Sequence, residues 1–125
     1  MPNFPKREHI VSTRLIEQLF GSGSTSMAAY PLRAVFHLVE RNQTDVPVQV
    51  LISVPKKRFK HAVDRNRVKR QVREAYRHCK QPLVDSIPAN QSLLLGFIWV
   101  GDRLAPSTIV ANRIGKLVTR IAEKL

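Results

Sequence analysis

Residues 56–80, KKRFKHAVDRNRVKRQVREAYRHCK, hold eleven Lys or Arg against two acids, Asp64 and Glu74. This fifth of the chain carries +9 of a formal net charge of +12, and the other hundred residues carry +3. A surface charged only for solubility would intersperse its signs. Within the segment, Val68, Val72, Ala75, Tyr76 and Cys79 recur at helical spacing and fall on one side of a helix predicted from about Ala62 to Lys80. Asn66, Arg67, Lys69, Arg70, Arg73, Arg77 and Lys80 lie away from that side. Asn66, Arg70, Arg73 and Arg77 form a stripe about 16 Å long at about 1.5 Å per residue, with Arg65 at its edge. Guanidinium groups present a planar fork suited to phosphate oxygens and are weakly hydrated. With two acids nearby, pairing along the helix leaves the stripe charged. The self-repulsion it costs is reversed by a polyanion, which also releases its counterions.

The chain has 125 residues, which argues for a single domain spanning 1–125. Hydrophobic residues make up 43%, too many for a disordered basic tail. Cys79 is the one cysteine, which excludes an intrachain disulfide framework and a cysteine-only zinc site. The longest apolar run, Leu93–Val100, falls far short of the ~20 residues a spanning helix needs, so no membrane partner is expected. The first ten residues, MPNFPKREHI, hold no apolar signal core. These features point to a soluble, cytoplasmic, strongly basic domain whose first candidate partner is a polyanion, with no metal site of its own expected.

Residues 1–9 are expected to be loosely ordered. Ser12 or Thr13 is placed to cap a short helix running to about Phe20, with Leu15, Ile16, Leu19 and Phe20 at helical spacing. The run GSGSTS at 21–26 ends it. Tyr30–Glu40 alternates as a strand, with Tyr30, Leu32, Ala34, Phe36 and Leu38 on one face. After a turn at 41–45, Val46–Val54 reads as a second strand, with Pro47 near its start or on an edge. The short connection favours an antiparallel hairpin. Pro82 and Pro88 bracket an irregular stretch. SLLLGFIWV at 92–100 is apolar on both faces and reads as a central strand. Pro106 and Ser107 open a last helix with Val110, Ile114, Leu117, Val118, Ile121 and Leu125 as its stripe. The order α-β-β-α-β-α describes an α+β sandwich, helices against a small sheet.

Chemistry of its own is hard to find in the chain. No two of its nine acids lie within four residues of each other, so no local pair marks a general acid and base or a metal cluster. His9 falls in the loose stretch. His37 reads as a half-exposed strand residue opposite Phe36, and His61 lies in the basic loop, where it is placed to add an RNA contact. His78 and Cys79 are adjacent on a helix and point apart. GSGS lacks the Lys-Ser/Thr of a phosphate-binding loop. Phe36 and Phe20 are open to two readings, packing in the core or stacking a splayed base.

The run Arg65-Asn66-Arg67-Val68-Lys69-Arg70, followed by Arg73, Glu74 and Arg77, resembles the signature helix of the bacterial ribonuclease P protein subunit. Ile52-Ser53-Val54-Pro55-Lys56-Lys57 is similar to that family's strand end and paired lysines. The resemblance implies a ferredoxin-like, ribosomal-protein-S5-like fold with a left-handed β-α-β crossover. It also implies a protein cofactor of a ribozyme that removes the 5′ leader of precursor tRNA, an endonucleolytic hydrolysis performed by the RNA. Arg65, Asn66, Arg67, Lys69, Arg70, Arg73 and Arg77, with Lys57 and Lys60, are then expected on the RNA-docking side. Phe20, Phe36, Ser53, Lys56 and Ile16 are expected to line or edge a leader cleft between the sheet and the first helix. Ile16 stands where the family often has an aromatic, and the 58–61 loop lacks the family's frequent glycine. Mg²⁺ is expected as cofactor, held mainly by RNA, in a one-to-one complex of protein and ribozyme. The competing reading is a general or ribosomal RNA-binding protein with no nuclease context.

Overall fold

The computed structural model describes residues 10, 13–21, 23–40 and 46–125. The expectations for residues 1–9 (His9 included), the Ser12 cap and the 41–45 turn lie outside them. The elements are α1 (Thr13–Leu19), β1 (Thr25–Ala29), β2 (Leu32–Glu40), β3 (Val48–Ser53), α2 (Ala62–Cys79), α3 (Gln81–Asp85), β4 (Gln91–Trp99) and α4 (Ser107–Lys124). The strands form one mixed sheet in the order β1-β2-β4-β3. β2 pairs antiparallel with β1 and β4, and β3 pairs parallel with β4.

β4 takes the central place because both of its faces are apolar. Leu93, Leu95, Phe97 and Trp99 join the large core beneath α2 and α4, while Leu94 belongs to a second cluster with Ile10 and Leu19. Gly96 eases the approach of α1 to the sheet: a Cβ there would stand 3.0 Å from the Leu19 side chain, which would have to give by a few tenths of an ångström. On the other face α2 buries Val68, Val72 and Tyr76, whose ring meets Phe97 at 5.8 Å. α4 buries Val110, Ile114, Leu117, Val118 and Ile121, the stripe expected from sequence except for Leu125, which is exposed.

Four expectations need correction. The hairpin between the second and third strands does not form, because β4 inserts between β2 and β3. A strand apolar on both faces removes more surface from water at the sheet's centre than at its edge. The run expected to end the helix, 21–26, gives way at Thr25 to the edge strand β1, in which Met27 is the one buried residue. Tyr30 leaves the strand face and joins Pro31, through a cis peptide, in the two-residue turn between β1 and β2. The stretch between Pro82 and Pro88 holds the short helix α3.

Candidate nucleic-acid interface

The approach to α2 is set by an arginine. After β3 the chain turns at Pro55, whose carbonyl accepts from the Arg58 N–H at 3.0 Å, and Phe59 is buried 6.3 Å from the Trp99 ring. Arg65 then reaches back from the first turn of α2 and donates through Nη1 to the carbonyls of Phe59 (2.7 Å) and Lys60 (3.0 Å). Arg65, expected on the docking side, uses Nη1 on the chain's own loop, which fixes the guanidinium's direction and leaves its charge and other N–H donors available. The same bonds steady that loop, from which Lys56, Lys57 and Lys60 project into solvent.

Along the helix, Asn66, Arg67, Arg70 and Arg73 are exposed and Lys69 is half-buried. Among the described residues no ion pair engages Arg67, Arg70 or Arg73. Arg77 differs. Its Nη2 lies 2.5 Å from Glu74 Oε1 and its Nε donates to Oε2 at 3.2 Å, while His78 Nε2 sits 2.8 Å from the same Oε1. The Arg77 hydrogen bond, then the His78 contact, hold the Glu74 carboxyl below the usual carboxylate range. The sequence put Arg77 in the open stripe, and the structure gives it a local partner because Glu74 lies one turn earlier on the same face.

A notch of about 310 Å³ between α2 and the start of α4 is lined by Arg67, Arg70, Gln71, Glu74 and Ser107. Gln71 shapes it by donating to the Ala105 carbonyl at 2.9 Å and the Ser107 hydroxyl at 3.1 Å, which ties the two helices together. Neither residue carries a sequence signal for this, because the partners are 34 and 36 positions away. Cys79, on the inward side, has its thiol pushed up to about 11 by burial and is no nucleophile at neutral pH.

The other candidate surface is the sheet face beneath α1. Val35, Val39 and Leu51 pack there with Ile16, Leu19 and Leu94. Strand alternation puts His37 and Ser53 on the same face. Phe20, at the end of α1, is 49% exposed, and Ile16 packs in the small apolar cluster. Phe36 is the correction here. It is 7% exposed and belongs to the large core on the opposite face, so it cannot line a cleft beneath α1. Its neighbour His37 occupies the face expected for it, with Nδ1 3.0 Å from the Gly23 carbonyl.

These features can be set beside known proteins. Residues 4–93 match the family model for Ribonuclease P. The ribonuclease P protein component of Porphyromonas gingivalis is 39% identical over 118 residues, covering 94% of this chain and 85% of that protein. The chain belongs to the ribonuclease P protein family. The ribonuclease P protein component of Ectopseudomonas mendocina is 36% identical over 120 residues, covering 95% of this chain and 81% of the relative. The RNase P protein of Staphylococcus aureus shares the fold with a TM-score of 0.69 at 20% identity, covering 93% of this chain and 95% of that one. The RNase P protein of Thermotoga maritima does so with 0.61 at 21%, covering 90% and 96%. The sheet order and helix placement are thus those of ribonuclease P proteins. As a ribonuclease P protein component, the chain works in tRNA processing as the protein subunit of a ribonucleoprotein.

Proposed function

We propose that the exposed row on α2, Asn66, Arg67, Lys69, Arg70 and Arg73, docks on the catalytic RNA of ribonuclease P, flanked by Lys57 and Lys60. The observation that carries this is the absence of any ion pair to Arg67, Arg70 or Arg73 among the described residues. Such a row repels itself in the free protein and is relieved by phosphates. The sheet face beneath α1, with Ser53 and His37 on it and Phe20 and Lys56 at its rim, receives the single-stranded 5′ leader of precursor tRNA. Phe20, half exposed, supplies a ring on which a base can stack.

Hydrolysis belongs to the RNA in this reading. No group of three His, Cys, Asp or Glu among the described residues could hold a metal ion, and Glu74 is engaged by Arg77 and His78. Among the described residues the donors form no Mg²⁺ cluster, and in this reading Mg²⁺ acts where RNA phosphates hold it. The complex is one-to-one and cytoplasmic. No helix among the described residues is long and apolar enough to cross a membrane.

Adding the protein to a bacterial ribonuclease P RNA at low Mg²⁺ tests the proposal. Processing of precursor tRNA at the mature 5′ end should rise, and the protein alone should cleave nothing. No stimulation, with cellular pulldown enriching ribosomal RNA instead, would favour a general RNA-binding protein. Cleavage without the RNA subunit would move the chemistry onto the protein.

A further inference from the structure

The tip of the β1–β2 hairpin gathers cations that neither surface above uses. Arg33 on β2 lies opposite Ala28 of β1, and strand alternation with Val35 turns it towards the α1 face of the sheet. From the other side, Arg120 of α4 donates through Nη1 to the Ala28 carbonyl at 3.3 Å, and Arg113 donates through Nε to the Tyr30 carbonyl at 3.0 Å. Arg113 also donates to the Asn112 side chain. β1 is an edge strand, so these two arginines reach the rim of the sheet.

A carbonyl has no net charge. Each bond therefore fixes a guanidinium's direction while leaving its charge and other N–H donors available. No carboxylate among the described residues pairs with Arg33, Arg113 or Arg120. In the same turn is Tyr30, 65% exposed, whose backbone carbonyl takes the Arg113 bond and whose ring has little of its surface packed. α4 packs on β1 and β2 while α2 lies towards β3, so this group is on the opposite flank from the α2 row.

The geometry points to a second RNA contact: Tyr30, Arg33, Arg113 and Arg120 hold a single-stranded segment as it passes from the α1 face over the β1 edge. Arg33 meets the strand on the sheet face, and Arg120 and Arg113 meet it beyond the rim. Positive groups that follow a backbone beside an exposed aromatic are what a single strand needs, because phosphates bind the cations and an unpaired base stacks on the ring. The inference rests on the reading of the α1 face as the leader's seat, and its occupant is the part of a long leader that overruns that face.

The test uses the full chain assembled with ribonuclease P RNA and two precursor tRNAs, one with a leader short enough to stay on the α1 face and one that overruns it. The triple variant Arg33→Gln/Arg113→Gln/Arg120→Gln should weaken binding of the long-leader substrate. The slope of its log affinity against log salt should fall by about 2, at about 0.7 per lost single-strand contact. Short-leader binding and affinity for ribonuclease P RNA should stay as in the wild type. Because Arg113 and Arg120 also brace β1, Tyr30→Leu supplies a variant that leaves those bonds in place. It should cost the long-leader substrate alone about fivefold or more in affinity. Equal loss for both leaders, or no loss for the long one, overturns the inference. A loss confined to ribonuclease P RNA also overturns it, by assigning the group to the ribozyme. If the wild-type protein fails to improve binding of either substrate, the reading of the α1 face fails first.

Discussion

The middle turns of α2 and its last turn carry the same kind of residue in different electrical states. Among the described residues Arg67, Arg70 and Arg73 meet no carboxylate, whereas Arg77, one turn further on, shares Glu74 with His78. One glutamate makes the difference. Periodicity alone would count all four arginines as equivalent, and charge counting over the whole segment would too. The charge available to a polyanion is what remains after local pairing, so the proposed docking surface is centred on the middle of the helix rather than on its last turn.

That contrast can be broken or sharpened by substitution. The largest effect is expected from Arg67→Ala/Arg70→Ala/Arg73→Ala. Losing three charge-assisted contacts of about 1.5 kcal/mol or more each should lower affinity for ribonuclease P RNA about a thousandfold in a binding titration. Arg77→Ala should cost less than about threefold, since exposed pairs of this kind are worth little and its charge is already offset. Equal losses from Arg73→Ala and Arg77→Ala would erase the distinction between the two ends.

On the inward side of the last turn, Cys79 has a thiol pushed up to about 11 from 9.0 by burial. Its alkylation near neutral pH should run about a hundredfold slower in the native chain than in the denatured one, following the smaller thiolate fraction. The same shift means that stability falls as pH rises above the unfolded thiol's value.

Smaller effects probe Glu74 itself. Glu74→Gln should free Arg77 and tighten RNA binding by about threefold, with the salt slope steepened by at most about one contact. The Glu74 carboxyl should titrate below the ordinary carboxylate range by NMR, and should return towards it in Arg77→Ala, because the Arg77 hydrogen bond is the first cause of the shift. A depressed native value means that this pairing supports the fold above the unfolded carboxylate's titration. The support is lost as pH falls through the native value.

Much of the architecture was legible where one physical signal dominated. α2 showed itself by helical periodicity joined to charge, and β4 by apolar residues on both faces. β1 was hidden because an edge strand with Met27 as its one buried residue leaves almost no alternation to detect. The strand order was hidden because a short connection does not reveal that a later strand will insert between two earlier ones. Alternation showed that Phe36 and His37 face opposite ways, but which face the large helices cover is decided by the whole fold. The tasks of Arg65 and Gln71 depend on carbonyls brought to them by loops and by α4, and a local pattern carries no record of those.

The central claim is that the open guanidinium row on α2 grips RNA phosphates. Its most direct test is the salt dependence of affinity for ribonuclease P RNA, compared between wild type and the Arg67/Arg70/Arg73 triple alanine variant. With both proteins shown to be folded, the slope should drop by about 3, near one for each phosphate contact removed. Parallel slopes for the two proteins would contradict the account.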